Sequence, residues 1–453
     1  MRRLLRATPA LLLSLALAAC GDDDGPASMP DAGVPDAPTP PPPPDDSGTG
    51  DDGTTDDGGA LPPEGCVSLR GAGALLSGFA RQTGAASVVS MIPDVAADAV
   101  ALAPVQAFGA LEESTPLPHG AHDSAGWYHD GWLYTLGGQD DGPVNLDTLW
   151  AAPLDATGTL GAWQAGTAFP ILILDHSVRM HGGRAYLTGG GQCNASGICR
   201  QQTASYVADP RDGDVGAWLA QTENPHRRMG HDAVIAAGFL YTIGGDDGDV
   251  STDDVSFAPI LPDGSLGPWR MTTPTPEGGL QFLAAAATSR HVYIVGGCRR
   301  KDCFRTTNIE DRVFVADVAA DGALGEWRVA AMLPVRTFDP AVMVHGGRLV
   351  VSGGRPGGFG RCGDFGGDES DEVWFADVMP DGSLGPWTGG AAEGSVMPRP
   401  RSDHNILVVW HEPFDATGDV WMWGGRTSCV EGEDRSWDLE YPPSVWRAPL
   451  VNA

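Results

Sequence analysis

The sequence predicts an all-β chain: one unit of four short strands, repeated, behind an N-terminal segment with no core of its own. Three observations predict it. Gly-Gly pairs recur at Gly137-Gly138, Gly189-Gly190, Gly244-Gly245, Gly296-Gly297, Gly353-Gly354 and Gly424-Gly425, each closing a short apolar run such as Phe239–Ile243 or His291–Val295. A second apolar run follows, as in Val313-Phe314-Val315-Ala316 and Val373-Trp374-Phe375-Ala376, and then an Asp-Gly turn and a tryptophan, as in Asp263-Gly264 to Trp269 and Asp381-Gly382 to Trp387. Trp163, Trp218 and Trp327 hold the same place in their units. Finally, 63 Gly and 37 Pro in 453 residues, with only 19% charged residues, describe a turn-rich body, where an ordinary globular chain carries roughly 25% charge.

The chain opens with a basic stretch at Met1-Arg2-Arg3-Leu4-Leu5-Arg6 and an apolar run from Ala10 to Ala19. That is the form of a secretory signal, too short to cross a bilayer as a helix. Leu17-Ala18-Ala19-Cys20 resembles the bacterial lipobox, which implies cleavage after residue 19 and lipidation of Cys20. Several acyl chains on one cysteine would hold the protein on a lipid bilayer. Gly21 in place of an aspartate resembles lipoproteins sorted to the outer membrane. Residues 20–65 carry 12 acidic residues, no Lys or Arg, and a proline run at 40–44. With almost nothing apolar to bury, they read as a disordered tether, stiffened and extended by proline and like charge.

Residues 66–453 form the folded domain. One four-stranded sheet cannot bury both faces, whereas such sheets set radially can, so the repeat predicts a β-propeller. The Asp-Gly pairs supply the positive φ that tight hairpins require. The Gly pairs, the aromatic before them and the later Trp resemble the kelch repeat, with residues 226–245 (His226-Arg227-Arg228-Met229-Gly230-His231-Asp232 through Gly245) as the best copy. The resemblance speaks for fold and hardly for function. Seven blades are expected, with six as the alternative. The seventh would be a degenerate first unit with strands at residues 75–80, 86–92, 100–105 and 109–111, leaving residues 66–70 to close the last blade and remove its open edge.

Six cysteines fall in loops after the Gly pairs. The expected disulfides are Cys193 with Cys199, Cys298 with Cys303, and Cys362 with Cys429 between neighbouring blades, as suits an oxidising compartment. No His stands at ligand spacing beside either close pair, which disfavours zinc there. Cys66 is left over.

The formal charge is −31, which repels phosphate backbones and excludes nucleic acid as a partner. His122, His176, His231 and His404, with Asp123 and Asp232 beside two of them, are expected to line the channel, as hydrogen-bonded structural groups or as acid–base residues. Copper radical oxidases and sugar-epimerising kelch propellers share the architecture. The lone Tyr128-His129 pair does not make an oxidase copper site, and no residue set marks epimerisation. No metal or cofactor is assigned, beyond a possible structural calcium in the acidic loops at residues 139–142 and 246–254. A rare basic cluster, Arg299, Arg300, Lys301 and Arg305, with Arg355 and Arg361 on the same predicted face, is the candidate contact for an acidic ligand; local charge balance is the alternative. The expected function is a monomeric, non-enzymatic recognition module for a protein or glycan ligand. The alternative is a glycan-modifying enzyme, oxidase- or epimerase-like, using the channel His and Asp residues.

Overall fold

The computed structural model describes residues 105–452, apart from 141–144, 195–197, 300–302, 304, 358–368, 411–417 and 432–436. Six antiparallel four-stranded blades surround one axis. From the axis outward, blade 1 runs Ala125–His129, Trp132–Leu136, Leu149–Pro153, Gln164–Ala165. Blade 2 runs Leu174–His181, Arg184–Cys193, Ser205–Ala208, Leu219–Ala220, and blade 3 runs Asp232–Ala236, Phe239–Ile243, Val255–Pro259, Arg270–Met271. Blades 4 and 5 start at Ala284–Ala287 and Ala341–His345. Blade 6 takes Asn405–Trp410, Gly418–Trp423 and Val445–Asn452 from the C-terminal end and its outer strand, Val105–Phe108, from the N-terminal side.

The expected seventh blade is therefore corrected to six. Residues 100–111 read as the outer half of an extra unit, but residues 105–108 instead pair with the C-terminal strand, Phe108 opposite Leu450. Closure between distant parts of the chain is as expected; the strand that closes is not the one at residues 66–70, which lies outside the described residues. The ring has no gap for another blade, because the inner strand of blade 6 packs against that of blade 1.

Strand periodicity explains why each run is apolar on both sides. In blade 3, Leu240 faces the interface with blade 2 and Tyr241 the interface with blade 4. Every blade is buried on both faces, so alternation separates two cores rather than core from solvent. Six apolar clusters result, one in each interface between neighbours.

The glycine pairs stitch the blades. The second glycine of each pair donates its N–H to a carbonyl of the next blade: Gly138 to Ile173, Gly190 to Arg228, Gly245 to Leu280, Gly297 to Thr337, Gly354 to Arg401 and Gly425 to Ala121, all between 2.7 and 2.9 Å. The last of these closes the circle. Gly137 shows why the residue type is fixed: its φ is +62°, and a β-carbon there would lie 2.6 Å from the Ile173 carbonyl oxygen. Aromatic side chains add a second set of stitches. Tyr186, Tyr241 and Tyr293 donate to the turn carbonyls of Gly264, Gly322 and Gly382 in the following blade. Trp163, Trp269, Trp327 and Trp387 donate to carbonyls of Thr115, Thr222, Thr273 and Met332 in the segment that ends the blade before.

Candidate functional site

One residue per blade, just ahead of each inner strand, adopts a left-handed backbone: Asp123, Asp175, Gly230, Phe282, Asp339 and Asp403, with φ between 52° and 58°. Five backbone hydrogen bonds link the six in series, from Asp175 N–H to Asp123 O, Gly230 to Asp175, Phe282 to Gly230, Asp339 to Phe282 and Asp403 to Asp339. Aspartate tolerates this conformation better than most residues. Its recurrence here places four carboxyl groups at one end of the axial channel, on the face that bears the loops after the glycine pairs.

Inside this ring lies a cavity of about 500 Å3 lined by the six inner strands. Its far end is mixed, with Val234, Ile235 and Val344 beside Arg179, His181 and His345 among the lining residues. At the mouth, His122 Nδ1 lies 2.7 Å from Asp123 Oδ2, and the ring of His122 stacks on Tyr441 at 4.4 Å. Arg426 approaches Asp403 Oδ2 at 3.5 Å, Asp339 Oδ2 at 3.9 Å and the buried Glu369 at 3.4 Å; Arg355 reaches Glu369 at 3.7 Å. Carboxyl groups outnumber these cations.

Burial, reinforced by the neighbouring carboxyls, pushes Asp175 and Asp403 well above the usual carboxylate range and Asp339 to about 8. For His122, burial alone would lower the imidazole, but Asp123 with Asp339 and Asp140 raises it on balance. The mouth can therefore hold protons at neutral pH and offers oxygen and nitrogen donors to a cation.

The predicted channel residues divide. His176, His231 and His404 occupy equivalent positions, one residue after the left-handed residue, and point into the blade interfaces. His231 Nε2 meets Thr188 Oγ1 at 3.1 Å and His404 Nε2 meets Ser352 Oγ at 2.9 Å, each on the preceding blade. His122 is not their counterpart: it stands one residue before the left-handed Asp123 and belongs to the mouth. Asp232 is fully engaged, its Oδ1 accepting from Ser177 Oγ and Arg179 and its Oδ2 from the Ala285 N–H. It ties blades 2, 3 and 4 together. Sequence reading missed Asp175, Asp339 and Asp403. Aligning the repeats on the Asp or Gly before the inner strand, instead of on histidine, would have found them.

The loop expectations also divide. Disulfides join Cys193 to Cys199 and Cys298 to Cys303. Cys20, Cys66 and Cys362 lie outside the described residues, and Cys429 sits on the strand Thr427–Glu431. Arg299 is paired with the buried Glu310, which also binds Arg312, and Arg355 is buried beside Glu369. Arg305 is exposed, while Arg300, Lys301 and Arg361 are outside the described residues. The acidic turn at Asp246 and Asp247 spends its carboxylates on the N–H groups of Gly248, Asp249 and Val250. Tyr128 and His129 end the inner strand of blade 1, with Tyr128 Oη accepting from the Gly131 N–H.

No protein-family profile matches the chain, and no curated protein matches it. Among 614 matching solved chains is one titled "Structure of YjhT", to which this chain is similar at 14% identity and a TM-score of 0.52, over 72% of this chain and 99% of that one. At that identity the likeness is one of fold, the β-propeller. So many matches leave function to be argued from the site.

Proposed function

We propose that this chain is a lipid-anchored envelope protein of kelch type whose propeller recognises a protein or glycan ligand without transforming it. The observation that carries the reading is the axial cavity, which opens among carboxyl and imidazole groups on the same face as the long, disulfide-bearing loops. A deep channel with a few convergent polar groups at its mouth is a usual form of a binding site. The lipobox-like Leu17-Ala18-Ala19-Cys20 supports the anchor, with the acidic tether as spacer.

Glycan-array binding by the purified protein tests recognition. Binding that is lost in Asp339→Asn and retained in Asp249→Asn, a change in an outlying loop, supports it; no glycan or protein captured at all counts against it. For the anchor, Cys20→Ser is expected to move the protein from the membrane fraction to the soluble one. One observation favours the enzymatic alternative: Asp339 is held protonated near neutral pH beside Asp403, which is what a general acid requires. A turnover of any bound sugar that falls in Asp339→Asn while binding persists would replace the recognition reading with that one.

A further inference from the structure

We propose that the channel mouth binds one divalent transition-metal ion, of which zinc is the type, through His122 Nδ1 and the carboxylates of Asp123 and Asp403. The proposal stands apart from what the propeller recognises. It starts from geometry: one ligand atom from each of the three residues can be chosen so that all lie within 4.8 Å of one another. Donors round a tetrahedral ion with bonds of about 2.0–2.2 Å sit about 3.4 Å apart, so the three need to close by at most about 1.4 Å, within reach of side-chain rotation.

A cluster of acids alone would not point to an ion, since acidic surfaces are common. The second observation is His122. Its side chain is 8% exposed, and its Nδ1 is paired with Asp123 Oδ2 at 2.7 Å without good hydrogen-bond geometry, so a nitrogen and an oxygen donor sit side by side out of bulk water. A shared ion would engage both atoms at once. Tyr441 covers the face of the imidazole and not its nitrogen edge, which fixes the ring plane as outer partners of metal-bound histidines do. Arg426 also lies near Asp403 but is shared with Glu369 at 3.4 Å, so it does not neutralise the mouth. Asp175, in the same ring, adds a carboxylate with no hydrogen-bond partner among the described residues.

The donor set chooses the metal class. Calcium and magnesium take oxygen ligands only, and calcium takes six to eight. An imidazole nitrogen with two carboxylates suits zinc or manganese. Asp123 and Asp403 come from the two blades at the closing seam, so an ion there would also join the first and last units of the ring.

Zinc titration of the chelator-treated full chain by calorimetry, with metal content measured after dialysis, tests the site. One zinc per chain is expected, weakened by about tenfold or more in Asp403→Asn and in His122→Gln. Asparagine keeps the left-handed backbone accessible at position 403; should that variant misfold, His122→Gln alone decides. Asp249→Asn is expected to bind as the parent does. Absence of saturable binding in the parent chain, or binding unchanged in His122→Gln, overturns the proposal.

Discussion

Three histidines at one repeat position show how a single side chain is chosen by its neighbour. Where the second strand of the preceding blade meets its Gly pair at Thr188 or Ser352, the facing residue is His231 or His404, and a hydrogen bond forms. Where that strand ends in Ile243 or Val295, the facing residue is Leu283 or Pro340. His176 breaks the rule: it follows Leu136, and both ring nitrogens are buried without a hydrogen bond. His176→Leu is therefore expected to raise unfolding stability by about 1 kcal/mol, whereas His231→Leu, which strands Thr188, should lower it by about 1–2 kcal/mol. Burial depresses the His176 pKa to about 3. The unfolded chain protonates this group below its ordinary pKa near 6.5 and the folded chain does not, so stability is lost as pH falls from about 6.5 towards 3. Urea melts across that range should show a shallower acid slope in His176→Leu. The histidines themselves were legible in the sequence. Their partners were not, because each partner lies in another repeat and is identified only by register.

Strand order and pairing followed from the Gly pairs and Asp-Gly turns, because those residues fix local backbone geometry. The aromatic stitches could be seen only as recurring positions. Tyr241→Phe removes one hydroxyl and leaves the Gly322 carbonyl without its donor; chemical denaturation should report a loss of about 1 kcal/mol. Closure is the element on which the sequence misled. The short run at residues 105–108 looked like part of its own blade, since a β-strand carries no mark of which edge it will join. Deleting residues 105–113 exposes the edge of Val445–Asn452. Such a variant is expected to melt earlier and to self-associate, as sedimentation velocity would show.

Six blades closed without a gap make each interface depend on its two neighbours, so the propeller should unfold as one unit rather than blade by blade. Acting against that ring is a formal charge of −31 over the whole chain. Self-repulsion of this size destabilises a compact state and is screened by salt. The thermal midpoint should therefore rise between low and moderate sodium chloride; a midpoint that falls would mean that ion pairs such as Arg426 with Glu369 outweigh the repulsion. The basic loop that stood out in so acidic a sequence is, at Arg299, part of this internal balance, committed to Glu310.

From the sequence alone came the all-β repeat, the recurring glycine pairs, the two loop disulfides and the acidity of the molecule, because each is set by residue type at short range. The number of blades, the strand that closes them and the ring of Asp123, Asp175, Asp339 and Asp403 came only with the fold. These four aspartates are spread over 281 residues of chain, and each by itself is an ordinary turn residue. Radial closure brings them to one mouth, where burial and mutual repulsion give them a chemistry that no single repeat contains.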